Sequence, residues 1–263
     1  MRHVEKHTDA AIVVRHEQEL AAAGLDKTSL LKRKETEELS GKVLYEDQIR
    51  SKQYIPHWED LQNHLNKEQG GVCCYCGSKL FFPDTQHYSV EHVKPRNKYP
   101  ELVGEYENLL LSCHSSEKER QDVKDATRSK KKKEREEIER KIYHCDEFKD
   151  SSELHYSPLD LNCSEHFSYK INGEVEVNGD DENAEEDIKT LNLQSKGLVD
   201  RRQKAIQALL FSITNPEEML DMESLNLYRQ NIEKLDANGN HREFYFVIAD
   251  VFDRYLNAGK GDR

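Results

Sequence analysis

The chain has 263 residues, of which 35% are hydrophobic and 34% charged. That length suffices for one elaborated domain or two small ones with a real core, while no stretch approaches the roughly 18 to 20 apolar residues of a membrane span. Lys and Arg number 39 against 51 Asp and Glu, a net charge of −12. The imbalance is local: 11 basic and 13 acidic residues in 1–70, 16 and 16 in 71–150, and 12 and 22 in 151–263. A free-standing protein with this balance does not draw in a polyanion from a distance, because nonspecific nucleic-acid affinity comes mainly from neutralising phosphates with Lys and Arg. Any nucleic-acid chemistry must be local or assisted by a partner. No apolar signal core follows Met1-Arg2-His3, so the six cysteines are expected in a reducing cytoplasm, where clustered thiols more often bind metal than form disulfides.

Along the chain, residues 15–40 are polar and helix-prone, with Gly24 and Gly41 as stops. Pro56 opens an amphipathic stretch in which Trp58, Leu61 and Leu65 fall at i, i+3 and i+7, a helix face ending at Gly70-Gly71. Lys79 to Phe82 and Tyr88 to Val90, separated by Pro83-Asp84, read as the two arms of a hairpin. Asn108 to Leu111 begins another element. Ser129 to Tyr143 reads as a charged helix whose aliphatic residues are Ile138 and Ile142. Its run Lys130-Lys131-Lys132-Lys133 reads first as a solvated face interleaved with Glu134, Glu136 and Glu137. A second hairpin spans Tyr169 to Val177, with Asn172-Gly173 in a turn expected to have positive φ at both central positions. An acidic, mobile loop is expected over Gly179 to Asp187. Helical periodicity then runs to the end: Leu198, Ala205, Leu209; Met219, Met222; and Phe244, Ile248, Val251, Phe252, Tyr255.

Chemistry concentrates in the middle. Cys73 and Cys76 form a C-x-x-C step followed by Gly77, a tight knuckle in which two thiolates can converge on a tetrahedral metal ion. A redox pair is disfavoured because no βαβ pattern surrounds it, and two merely buried cysteines are the other alternative. Glu91-His92-Val93-Lys94-Pro95 follows, with Glu91 fifteen residues past Cys76. Asn108-Leu109-Leu110-Leu111-Ser112-Cys113 comes next, its Cys five positions after its Asn.

Over about residues 72–113 this order of residue types and spacings resembles the HNH, or ββα-metal, nuclease motif. The resemblance implies a mostly helical α+β fold around a ββα-metal core with a zinc knuckle. It also implies that His92 is the general base, Glu91 a carboxylate ligand for a divalent cation such as Mg or Mn, and Asn108 the group that orients the strand or the His92 ring. The chemistry is consistent: phosphodiester hydrolysis needs a water deprotonated near neutral pH, which an imidazole can do, and a hard cation against the charge of the scissile phosphate.

The compact form of the family has a second C-x-x-C here, but Ser116 stands where its last cysteine belongs. Cys145-Asp146-Glu147-Phe148-Lys149 supplies the missing phrase thirty-two positions after Cys113. The resemblance therefore implies a charged insertion over 117–142, a structural zinc on Cys73, Cys76, Cys113 and Cys145, and Asp146 beside Glu91 on the catalytic metal. Lys94 and Lys149 become candidate phosphate contacts. His114, His144 and Cys74 are rival fourth ligands; Cys163 lies past the motif. A delayed His144-Cys145-Asp146, then Ser157-Pro158-Leu159, His166 to Tyr169, Asn172-Gly173 and Leu191-Asn192-Leu193 extend the resemblance over about residues 55–205. The branch they resemble is the PtuB family of HNH proteins in Septu and retron-associated bacterial antiphage defence systems. That likeness implies a DNA or RNA substrate, a PtuA-like ATPase partner and, in retron versions, a reverse transcriptase with its RNA–DNA product. The expected division is a helical, partner-contact segment over 1–54, a nuclease core over 55–168, and a hairpin with a C-terminal helical module over 169–263. The rival readings are a zinc-knuckle module that only binds nucleic acid or protein, which has no need of Glu91, His92 and Asn108, and a thiol-based redox sensor using Cys73 and Cys76.

Overall fold

A computed structural model of the chain describes all residues except Thr85, Ser116, 214–221 and 259–263. Ser116 and Met219, singled out above, lie outside the described residues. The fold is mixed α and β, about half helical, with two two-stranded antiparallel sheets. No helix among the described residues is long and apolar enough to cross a membrane.

Helix α1 (Ala11–Ala23) ends on Gly24 in the left-handed conformation, φ 67°, as expected of a glycine past a helix end. α2 (Lys27–Lys34) starts on Asp26, whose side chain accepts from the Ser29 amide. Gly41 is no stop. It opens α3 (Gly41–Val43), which Ser40 caps and which runs on as a π-helical stretch over Leu44–Ile49. A glycine is required there because a Cβ would sit 1.8 Å from the Arg96 carbonyl oxygen. α4 (Trp58–Glu68) buries Trp58, Leu61 and Leu65, the stripe read from the sequence, and packs on α1 and on strand β2.

The first sheet departs from expectation. Strand β1 (Tyr88–His92) pairs antiparallel with β2 (Leu109–Cys113), with Tyr88 opposite Cys113 and His92 opposite Leu109. The expected first arm, Lys79 to Phe82, contributes only an isolated bridge from Lys79 to Val72. All five β2 residues are buried, so β2 is the covered strand and the better partner for β1. Its backbone is also held by the end of α4. The Gln69 amide donates to the Val72 and Leu111 carbonyls at 2.9 and 2.8 Å and accepts from the Leu111 amide at 2.6 Å, which satisfies buried strand groups.

The charged segment forms a helical hairpin, α5 (Glu117–Thr127) against α6 (Lys132–Ile142). The short α7 (Asp146–Lys149) follows. β3 (Phe167–Tyr169) and β4 (Val175–Val177) make the second sheet as expected. Its turn differs: Gly173 has φ 86° but Asn172 is not among the positive-φ residues. The Gly173 amide donates to Lys170 at 2.9 Å and the Lys170 amide to Glu174 at 2.8 Å, so a type I turn is followed by a single left-handed glycine. The expected acidic loop is instead mostly helix α8 (Glu182–Thr190), capped by Asp181. Asp187 is buried and accepts from the His155 and Tyr156 amides at 2.9 and 2.8 Å.

α9 (Lys196–Ile213), α10 (Met222–Glu233) and α11 (Tyr245–Ala258) complete the chain. Along the C-terminal stripe Phe244, Ile248, Val251 and Phe252 are buried and Tyr255 is exposed. This module is not remote from the cysteines. The Phe244 amide donates to the Gly77 carbonyl at 2.7 Å, and a Cβ on Gly77 would meet the Phe246 ring at 2.8 Å.

Candidate functional site

Four thiols converge beneath β2. Cys73, Cys76, Cys113 and Cys145 are all buried, and their sulfurs lie within 4.8 Å of one another. The Cys73 and Cys145 sulfurs are 3.8 Å apart and those of Cys76 and Cys113 3.5 Å apart. Tetrahedral donors about 2.3 Å from a common centre stand about 3.8 Å from each other, so the spacing fits one ion of zinc size. Against the burial that opposes ionisation, hydrogen bonds from Cys113 and Cys145 hold the Cys73 and Cys76 thiols well below their ordinary value. Cys74 stays outside the group, where burial pushes its thiol well up. Cys163 is buried elsewhere, also raised by burial, to about 11. His144 places Nδ1 at 3.1 Å from the Cys145 sulfur and His114 takes a hydrogen bond from Arg120 at 2.6 Å; neither belongs to the cluster.

The long return from Cys113 to Cys145 is the α5–α6 hairpin. Its base is fixed by Ser115, whose amide and hydroxyl both donate to Glu147 at 2.7 Å. Cys145 itself has φ 57°, the sharp bend that aims its sulfur back into the cluster and starts α7. Ser112 ties the thiols to the next residue: its hydroxyl lies 3.7 Å from the Cys73 sulfur and accepts from the Asp146 amide at 3.3 Å.

Successive residues of a strand face opposite sides, so Ser89 and Glu91 share a face of β1. Both meet Asp146. Ser89 donates to it at 2.6 Å, and Glu91 is close enough that burial together with the Asp146 carboxyl pushes Glu91 well above the ordinary carboxylate range, against the Lys149 ammonium that pulls it down. One Glu91 oxygen takes the Tyr75 hydroxyl at 2.7 Å and Lys149 at 2.8 Å. Two carboxyls in mutual contact repel when both are ionised, and Asp146 is the more exposed of the two.

His92 sits at the end of β1, 6% exposed. Its Nε2 donates to the Val103 carbonyl at 3.0 Å and its ring meets Tyr45 edge-on at 4.9 Å. That hydrogen bond fixes the tautomer, leaving Nδ1 with the lone pair and no hydrogen-bond partner among the described residues. Burial lowers the imidazole from 6.5 to about 4, so it is a neutral acceptor at neutral pH.

Glu91, His92 and Asp146 all line one cleft of about 1140 Å³. Its walls bring together groups that motif reading missed: Lys42 of α3, Tyr45 in the π-helical stretch and Arg50 at its end, and Arg96 after β1. Arg96 lies 4.7 Å over the Tyr45 ring. Residues 1–54 thus supply one wall of the cleft, and no local signal announces this because the placement depends on packing of α3 against Arg96 and the turn Pro100–Leu102, far along the chain.

Neither of the two candidate phosphate contacts lines the cleft. Lys149 is 1% exposed and committed to Glu91. A helix as short as α7, begun at the cysteine bend, turns it inward beneath the sheet. Lys94 is exposed but pairs with Glu153 at 3.0 Å and lies outside the cleft lining. Asn108 is also not in the lining. Its carbonyl accepts from the Lys94 amide at 2.7 Å, and its amide donates to the Lys94 and Leu102 carbonyls at 3.1 and 3.2 Å. It therefore orients the strand end and the loop that carries Val103, and is a positioning residue. Asn108→Ala leaves those backbone groups unpaired, about 1–3 kcal/mol each when buried. The variant is expected to melt at lower temperature than the wild type, measured by thermal denaturation.

Arg201 of α9 was also invisible to motif reading. It donates to the Ser78 hydroxyl, itself 3.0 Å from the Cys76 sulfur. Burial opposes its charge, but Cys76 and Cys113 raise the guanidinium above its ordinary value, so it offsets thiolate charge from outside the cluster. No family model matches the chain, and no curated protein matches it.

Proposed function

We propose that the chain is a metal-dependent nuclease of the HNH type. The observation that carries the reading is His92, its tautomer fixed by Val103 and its unpaired Nδ1 set in the same cleft as the paired carboxyls of Glu91 and Asp146. A pure zinc scaffold has no use for this arrangement. In this reading zinc occupies the four thiolates as a structural ion. A hard divalent cation, Mg or Mn, held by Glu91 and Asp146, would supply positive charge at the scissile phosphate. The rest falls to the chain. His92 Nδ1 accepts the proton of the attacking water, Tyr45 and Val103 hold the ring in place, and Arg96 and Arg50 meet the negative substrate at the rim.

The wider likeness to the PtuB family supports a role as effector of a bacterial antiphage complex with a PtuA-like ATPase, and in some settings a retron reverse transcriptase. Charge supports dependence on a partner: the segment 151–263 carries 22 acidic against 12 basic residues. The test incubates plasmid DNA and total RNA with the purified chain, alone and with its ATPase, with and without Mg or Mn. Cleavage is expected to need the divalent ion and to be slow for the chain alone at physiological salt. Cleavage undiminished when Mg and Mn are left out would defeat the catalytic reading, and partner-independent rates would defeat the assisted one.

A further inference from the structure

We infer that the α5–α6 hairpin is a nucleic-acid-binding arm whose tip, Arg128 to Arg135, takes backbone phosphates of a strand that continues beyond the cleft. The tip holds Arg128, Lys130, Lys131, Lys132, Lys133 and Arg135 against a single acid, Glu134, in a chain of net charge −12. The interleaved acids do not neutralise it. Glu134 is used inside the hairpin, accepting from the Lys131 amide at 3.1 Å as part of the cap of α6. Lys132 reaches Glu136 only at 3.9 Å. Among the described residues Arg128, Lys130, Lys131 and Lys133 have no acidic partner, and all of 128–137 is exposed.

Helix electrostatics oppose this placement in the isolated protein. Lys131 is the cap and Lys132 the first residue of α6, the end at which aligned peptide dipoles favour anions. Docked phosphates would relieve that repulsion. The partner class follows from what the tip lacks: none of the exposed large hydrophobic side chains falls within 128–142. A protein interface needs an apolar core with a polar rim; a row of unpaired, solvated cations suits a phosphate backbone.

The arm is fixed to the cleft rather than free. Glu147, which lines the cleft, accepts from Ser115 at the foot of α5 and lies 3.9 Å from Arg120 within it. His114, also in the lining, accepts from Arg120. With 11 residues in α6, the tip stands about 16 Å from this base. At about 3.4 Å per nucleotide along each strand of a duplex, that is about five nucleotides. The arm would therefore act on substrates that extend about that far past the cut, and would hold them without reading bases. Its role as a substrate arm rests on the nuclease reading, whereas its phosphate binding does not.

The test uses the full-length His92→Asn protein, so that probes survive, with and without the triple change Lys130→Ser, Lys131→Ser and Lys133→Ser. Binding of a long DNA duplex and of a matched RNA is followed by fluorescence anisotropy over a series of salt concentrations, starting low. Loss of three phosphate contacts should reduce the slope of log affinity against log salt by about 2.7 and weaken binding at least about tenfold at low salt. Thermal melting and metal content should stay unchanged, since none of the three lysines packs inside the fold. Equal slopes for the two proteins, or no binding by the parent even at low salt, would overturn the arm. So would unchanged nucleic-acid binding with loss of an acidic protein partner. The nuclease reading fails separately: if the wild-type chain and its assembly cut nothing under any divalent ion while the slope still falls, the arm stands and the hydrolytic reading does not.

Discussion

In the nuclease reading, changing His92 to glutamine is expected to lower nucleic-acid cleavage by about 10²–10⁴-fold, the usual contribution of a positioned general base. Glutamine is the informative substitution because its longer side chain places an amide where Nε2 stands and can still donate toward the Val103 carbonyl that receives Nε2 at 3.0 Å, so the loop keeps its anchor while the imidazole base is gone. Alanine would also empty the space beside Tyr45 and confuse lost chemistry with lost packing. Cleavage is measured on the assembled complex under saturating divalent ion, with metal content and melting temperature as controls. Both controls should match the wild type, since His92 is no part of the thiol cluster. A variant that folds, holds its metal and turns over at the wild-type rate would remove His92 from the mechanism.

Cys145→Ser should be the most damaging single change for folding. It removes one of four converging thiols, and a neutral hydroxyl is a poor substitute for a thiolate in a structural site. Apparent binding free energies of complete structural zinc sites run to about 10–16 kcal/mol and count directly toward folding, against a typical domain stability of about 5–15 kcal/mol. Losing a large part of that term is enough to melt the core around β1 and β2. His144→Ala is the matched control: its ring lies 3.1 Å from the same sulfur but is not one of the four donors. Metal analysis and thermal melting of both variants decide the matter. Cys145→Ser with full metal and an unchanged melt would falsify the split four-thiolate site.

What was legible in the sequence was what depends on spacing. The cysteine step, the adjacent Glu91 and His92, the charged segment after Cys113, the buried stripe of α4 and the β3–β4 hairpin each rest on residues close in the chain or on a recognisable phrase. What was lost depends on long-range packing. Tyr88–His92 was read as pairing with its neighbour across Pro83, whereas its partner lies beyond a loop of sixteen residues, held by a glutamine at the end of α4. Lys149 reads as a candidate phosphate contact because it closes the family phrase begun at Cys145; its burial follows from the bend at Cys145, which no local pattern gives. The basic and aromatic wall of Lys42, Tyr45 and Arg50 belongs to a segment without a motif. One miss was readable: Asp181 before a helix-compatible stretch is an ordinary start signal, and the acidic composition of 179–187 obscured it.

The order of donors along the chain has a consequence for how the protein matures. Cys145 and Asp146 are adjacent, and the first is the last of the four thiols to emerge during synthesis. The residue that completes the metal cluster therefore brings the second carboxyl to Glu91 in the same movement, through the bend at φ 57°. A nascent chain that has not yet reached Cys145, or one starved of the ion, leaves Glu91 without its companion. In the nuclease reading, acquisition of the structural ion then acts as a maturation checkpoint, and a cell short of that ion would accumulate an inert precursor instead of a partly active, misregulated enzyme.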